Sequence, residues 1–216
     1  MNLIEYFDFV YIDLEHGFRS VNELVTILSF YNSMNFSYSV RIRSIHDPLI
    51  QTLIDNGVRN FIVPQLRSLE EFRTFKRKIE LPPKGVRGIH PRSQFKRSAP
   101  ANENLKLTII IETLESLNLI ENFANDELVE SLYLGVFDLS MELEMDGSHY
   151  SKELNEYFDR VSNICYKYGK QFIAMLPDGE DILFAKKHNL NRIVAGIDSI
   201  LIHDFYRKLT SNLMKY

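Results

Sequence analysis

The chain has 216 residues, 45% of them hydrophobic and 25% charged, with a formal net charge of −4. That composition suits a soluble globular domain with one sizeable core, slightly short for a complete eight-stranded α/β barrel. Mild acidity argues against a nucleic-acid partner, which needs a concentrated basic face, and no apolar run approaches the roughly 18–20 residues that cross a bilayer.

The first residues, MNLIEYFDF, carry acids where a secretory signal carries bases, so the expectation is a cytoplasmic protein. The lone Cys165 excludes an internal disulfide framework and falls in a helical stretch, where an idle packed thiol is the expectation.

Taken in chain order, short runs rich in β-branched and aromatic residues alternate with segments of helical periodicity. The runs are 7–12, 38–42, 60–64, 105–111, 132–136, 171–175 and 192–196. The helical segments are 20–31, 48–56, 69–79, 115–123, 151–168 and 179–188, followed by an amphipathic stretch at 204–216. Strands alternating with helices imply βαβ units and a parallel sheet covered on both faces. Ser20 with Glu23 reads as a capping box, Ser68 precedes Glu70 and Glu71, and Gly57 and Gly169 read as helix C-caps. The basic cluster 67–78 alternates with Glu70, Glu71 and Glu80 and reads as a solvated helix face. With no linker or repeat, residues 1–216 read as a single TIM-type (β/α) barrel domain. Only seven strands are visible where a closed barrel of this class needs eight, so either the first strand is missing and the barrel incomplete, or the sheet closes in some other way.

In such barrels the site lies at the carboxyl ends of the strands. Four ends carry polar groups: Asp13-Leu14-Glu15-His16-Gly17, then Arg41 and Arg43, then Glu112, then Asp138. Adjacent strands lie roughly 4.8 Å apart, so carboxylates at neighbouring ends, Glu112 and Asp138, can share one ion. Two carboxylates completed by water and substrate oxygens suit Mg2+ or Mn2+. A helix N-cap or an Arg partner for each carboxylate is the structural alternative, and the residues alone leave both open. His16 has the chemistry of a general base, although a loop histidine is as often solvent-exposed. Arg41, inside an apolar strand, requires an anionic partner, either a carboxylate or a substrate; Arg43 takes that role if the register shifts by one pleat. His46, His149, His188 and His203 show no metal-ligand spacing, and His90 lies in a long Gly/Pro-rich loop. No strand end offers a Schiff-base lysine.

These pieces resemble the HpcH/HpaI aldolase family, class II pyruvate aldolases related to the citrate lyase β subunit. The matching stretches are FDFVYIDLEHG (7–17), SVRI (39–42), PLIQTLIDNGVRNFIVPQL (48–66), LPPKGVRG (81–88), IIETLESLNLIE (110–121), LGVFDLS (134–140) and VAGIDSILI (194–202). The resemblance implies Glu112 and Asp138 as ligands of Mg2+ or Mn2+, with Co2+ as a further option. It implies His16 as the base working with Asp55, and Arg41 as the group on the pyruvyl oxygen. Phe137 and Asp138 join Arg41 in the substrate-binding set, while Asp13 and Glu15 support it. Val136 and Phe137 stand where the family commonly has Gly-Pro. The implied activity is carbon–carbon cleavage or formation through a pyruvate enolate, on a 2-keto-3-deoxy or 4-hydroxy-2-oxo acid. A citrate-lyase-type thioester lyase and a degenerate, non-catalytic barrel subunit are the alternatives. A homo-oligomer is also implied, a hexamer or a dimer with an exchanged C-terminal helix.

Overall fold

The computed structural model describes residues 5–17, 20–88, 105–145, 152–176 and 182–213. His90 and His149 lie outside the described residues. The expected strands form β1 (Phe9–Asp13), β2 (Ser37–Arg41), β3 (Asn60–Val63), β4 (Lys106–Ile111), β5 (Val129–Leu134), β6 (Gln171–Met175) and β7 (Arg192–Val194). They pair in sequence order as one seven-stranded sheet, and every pairing is parallel. β1 and β7 are its two edges.

The sheet is curled. In a flat sheet β1 and β5 would stand about 19 Å apart, yet the rings of Tyr11 and Tyr133 have centroids 6.1 Å apart. Arg192 of β7 likewise reaches to 5.4 Å from the Phe9 ring of β1. This is a half-barrel with the topology of an incomplete TIM-type fold. Val40, Phe61, Val63, Leu107, Ile109, Leu132 and Phe172 point outward into a continuous core beneath the helices. The alternate positions line the concave interior and include a buried Thr108–Ser131 hydroxyl pair at 2.7 Å. Burial of the outward aliphatic and aromatic side chains is the main driving force for folding.

The helices are α1 (Val21–Ser33), α2 (Ile50–Asp55), α3 (Leu69–Ile79), α4 (Leu114–Asn118), α5 (Ile120–Ala124), α6 (Val136–Glu142), α7 (Lys152–Tyr168), α8 (Ile182–Lys187) and α9 (Asp198–Leu213). Capping boxes at Ser20–Glu23 and Ser68–Glu71 start α1 and α3. Gly57 and Gly169 take the positive φ that ends a helix (96° and 63°). α3 buries Phe72, Phe75 and Ile79 and keeps its charges outside, as its sequence implied.

Three boundaries differ from the sequence reading. The 115–123 segment divides at Leu119 into α4 and α5. The strand read at 132–136 begins at Val129 and ends at Leu134, and Val136 already belongs to α6. The last helix starts at Asp198, and none of its sixteen residues is buried. Leu201, Phe205, Leu209 and Leu213 repeat every fourth residue along it, and all are exposed. Among the described residues, no helix is long and apolar enough to cross a membrane.

Two residues set aside at the sequence level are structural. Cys165 is buried, and burial pushes its thiol up to about 12, far from reactive thiolate chemistry. His188 is fully buried, with Nδ1 2.8 Å from Asp159 Oδ1 and Nε2 3.0 Å from Asn155 Oδ1, so it pins the end of α8 to α7.

Candidate functional site

The carboxyl ends of the first four strands carry a connected set of charges. Asp13 and Arg41 are direct neighbours in the β1–β2 register. The Arg41 guanidinium grips both Asp13 oxygens, with Nε 2.9 Å from Oδ1, and its Nη1 lies 3.1 Å from Glu15 Oε2. Asp13 also accepts the backbone N–H groups of Glu15 and His16, which folds the DLEHG turn over the strand end. Gly17 is required there: a Cβ would sit 2.2 Å from the Asp13 carbonyl oxygen. Burial works to raise Asp13, but the Arg41 hydrogen bonds and charge, with the two amides, hold its carboxyl below the ordinary value. Burial raises Glu15, against the pull of Arg41. Arg43 turns away and pairs with Asp47, its Nε 3.0 Å from Oδ2. The register therefore puts Arg41, rather than Arg43, at the site.

Glu112 follows β4 and is only 4% exposed. Its Oε1 accepts the backbone N–H of Gln65 at 2.6 Å, and the Gln65 amide Nε2 donates to Glu15 Oε1 at 3.1 Å. Gln65 follows Pro64 at the end of β3 and has a φ of +52°, unfavourable for a side chain branching from an L-residue. Nothing in the sequence marks that conformation. Gly135 gives Glu112 its room: a Cβ at 135 would come 2.7 Å from Glu112 Cβ and 3.3 Å from Oε2. Burial, then the charges of Glu15 and Asp138, push the Glu112 carboxyl up to about 7, despite the Gln65 N–H and Arg41.

The sequence pattern places Asp138 at the end of a strand. It stands instead in the first turn of α6, with Phe137 beside it, and both are exposed. β5 ends at Leu134, and Gly135 alone separates it from that helix. Asp138 is nevertheless close enough for its charge to act on both Glu15 and Glu112. His16 is exposed, its Nε2 3.9 Å from Glu15 Oε2.

Asp55 is elsewhere. It ends α2, which leads down to the start of β3, and there Tyr38, near the start of β2, reaches the carbonyl of Gly57. It accepts from Gln51 Nε2 at 3.0 and 3.1 Å, and the charges of Arg59 and Arg87 feel it. His16 follows the carboxyl end of β1, so one barrel holds His16 and Asp55 at opposite ends of its sheet.

The rim beyond Glu112 is tied by Arg67, from the basic cluster, whose Nη1 lies 2.8 Å from Glu115 Oε2 and 3.0 Å from Glu142 Oε1. Glu142 also accepts the Leu114 N–H at 2.7 Å, joining α4 to α6.

Asp13 and Glu15 thus pair with one guanidinium, that of Arg41, whose charge also reaches Glu112, while Asp138 stands near enough for its charge to act on Glu15 and Glu112. Such a surplus of carboxylate, with the buried member pushed towards neutrality, suits a cation. The donors are all oxygens, the choice of a hard divalent ion. Among the described residues, no three His, Cys, Asp or Glu side chains gather closely enough to hold a metal by themselves. An ion on Glu112 and Asp138 would take its remaining ligands from water or substrate, the habit of Mg2+.

Comparison with known proteins agrees with this architecture. The model of the HpcH/HpaI aldolase/citrate lyase family matches residues 3–198. A 5-keto-4-deoxy-D-glucarate aldolase from Klebsiella pneumoniae is 23% identical, over 97% of this chain and 84% of its own. An HpcH/HpaI aldolase from Desulfitobacterium hafniense superposes with a TM-score of 0.89 at 20% identity, covering 100% of this chain and 86% of its own. The citrate synthase SbnG superposes with a TM-score of 0.82 at 24% identity, covering 98% of this chain and 84% of its own.

Proposed function

The chain belongs to the HpcH/HpaI aldolase/citrate lyase family and is a carbon–carbon lyase, and from that premise we propose a divalent-metal-dependent aldolase working through a pyruvate enolate. The observation that carries the proposal is the linked set of Glu15, Arg41 and Glu112 at the carboxyl ends of β1, β2 and β4, joined through Gln65, with Asp138 in the first turn of α6 near enough for its charge to act on Glu112. The substrate class is a 2-keto-3-deoxy or 4-hydroxy-2-oxo acid, in keeping with the named activity of the relatives.

Glu112 and Asp138 would hold Mg2+ or Mn2+, with Co2+ as a further option. Bound there, the ion would supply Lewis-acid stabilisation of negative charge developing on the pyruvyl oxygen. Arg41, held rigid by Asp13 and Glu15, aims a fixed positive charge at the same region, and its fixed geometry avoids reorganisation during reaction. The first turn of α6, with Phe137 and Asp138, lines the substrate side. Phe137, half exposed, would narrow the space left for the aldehyde portion.

His16 is the proposed base for the aldol hydroxyl. Since Asp55 stands at the other end of the barrel, its pairing with His16 would need Asp55 from a second copy of the chain. That requirement accords with a homo-oligomer. The apolar stripe of α9, exposed along its whole length, suits a helix exchanged between copies.

The test is release of pyruvate from a 2-keto-3-deoxy acid, followed by coupled reduction, with Mg2+ or Mn2+ and with EDTA. Metal-dependent pyruvate release is expected, with cleavage lost in His16→Ala while metal and pyruvate still bind. Cleavage undiminished by EDTA would reject the metal, and undiminished cleavage by His16→Ala would reject the base. Preferential cleavage of a hydroxyacyl thioester would favour the citrate-lyase branch, and no turnover of either class would favour a non-catalytic barrel.

A further inference from the structure

Four non-glycine residues among those described have positive φ: Asn35, Gln65, Glu144 and Asn189. Three of them close helices. Asn35 follows α1, Glu144 follows α6 and Asn189 follows α8, and each returns its N–H to a carbonyl of the helix it ends. That is the ordinary use of the left-handed conformation. Gln65 follows a strand, and its N–H goes to no carbonyl. It goes to the Glu112 carboxylate, while its side-chain amide goes to Glu15. Strain held where no helix end requires it is a mark of functional sites.

The consequence is a chain of contacts across four neighbouring strands. Glu112 after β4 is tied to Gln65 after β3, which is tied to Glu15 after β1, which is tied to Arg41 at the end of β2. At its other oxygen Glu15 meets Arg41 at 3.1 Å and, more distantly, His16 at 3.9 Å. We propose that Gln65 is a positioning residue for the lyase reaction: its strained backbone fixes Glu112, its amide fixes Glu15, and through Glu15 it sets the guanidinium of Arg41 relative to Glu112. This rests on the reading of Glu112 and Arg41 as the metal- and substrate-facing groups.

Two substitutions separate positioning from folding. Gln65→Met keeps the backbone and the length of the side chain but removes the amide donor. Gln65→Gly removes the same donor and also relieves the positive φ, a gain offset by the greater freedom of the unfolded chain. Three quantities are measured on the whole protein: the melting temperature in EDTA, the Mn2+ dissociation constant, and kcat and KM for exchange of the pyruvate methyl protons. Both variants are expected to fold, with Gln65→Gly melting no lower than Gln65→Met. Mn2+ binding is expected to persist, because the Gln65 N–H and both carboxylates remain. The loss should fall on kcat, by roughly 10–100-fold, the usual effect of removing a group that orients those touching metal or substrate, with KM little changed.

Wild-type kcat in Gln65→Met, with wild-type Mn2+ binding, would overturn the proposal while leaving the reading of the site intact. A Gln65→Gly protein that melts well below Gln65→Met would show that the backbone conformation serves folding and would also overturn it. A wild-type chain that binds no Mn2+ and exchanges no protons would defeat the underlying reading, and the proposal with it.

Discussion

Replacing Glu112 with glutamine changes one thing: it removes a charge from a buried position. The amide keeps an oxygen to accept the Gln65 N–H and has almost the same volume. In the folded chain burial, aided by Glu15 and Asp138, pushes the Glu112 carboxyl from 4.5 up to about 7. The folded state therefore keeps a proton that the unfolded chain has already released. Stability should fall as pH rises from about 4.5 to about 7, and the penalty should be complete above that. The shift corresponds to about 3 kcal/mol at most, less where water reaches the carboxyl. Glu112→Gln escapes this penalty. In EDTA at pH 8 it should melt higher than the parent, on the order of 5–10 °C for a chain of this size. At pH 4, below both values, the two should melt together. Saturating Mn2+ should reverse the order at pH 8. The parent gains about 2.7 kcal/mol at one hundred times the dissociation constant, and the variant, short of one proposed ligand charge, gains far less. Thermal unfolding at both pH values, with EDTA and with Mn2+, reads all four states. A variant that melts below the parent in EDTA at pH 8, or gains as much from Mn2+, would refute the reasoning.

Three further outcomes follow from the same geometry. Gly135→Ala drives a methyl to within 2.7 Å of Glu112 Cβ. It should lower Mn2+ affinity and turnover by roughly 10–100-fold for about 1–3 kcal/mol of stability, measured by titration and urea unfolding; wild-type affinity would show that the ligand position is not set there. Arg41→Met leaves Asp13 and Glu15 without their guanidinium and should cost about 2–3 kcal/mol at pH 8. Asp13 is held below its ordinary value, so its contribution is present above the unfolded carboxylate range and lost as pH falls through the folded value. The cost of Arg41→Met should therefore shrink in urea unfolding at acid pH. Phe205→Asp, on the exposed stripe of α9, should reduce the molar mass seen by light scattering, and an unchanged mass would remove that helix from the assembly.

Much of this was legible in the sequence because strands buried on both sides must be apolar, so polar residues at their ends stand out. Asp13, Glu15, Arg41 and Glu112 were found that way, and Arg41 has the carboxylate partners that its buried position demanded. The capping boxes at Ser20 and Ser68 were legible because they are local. What was hidden depends on contacts made through space. Gly135 looked like an interior strand residue, yet β5 ends before it at Leu134 and Asp138 lies on the helix that follows it, while its lack of a side chain leaves room for Glu112. The division at Leu119 carries no proline or glycine to announce it. Gln65 sits in an ordinary-looking VPQL segment, and its left-handed backbone is visible only beside Glu112 and Glu15. Asp55 matched a motif, but α2 carries it to the far end of the barrel, which no linear pattern records. The start of α9 at Asp198 was not marked by a buried apolar face, since no residue of that helix is buried among the described residues.

The central claim is that Glu112 and Asp138, with Arg41, support enolate chemistry. Loss of the pyruvate methyl signal in D2O, followed by proton NMR, tests it most directly. The account predicts exchange that requires Mg2+ or Mn2+, and that Glu112→Gln and Asp138→Asn each abolish while the proteins stay folded. Exchange that persists in EDTA, or in both variants, would contradict it.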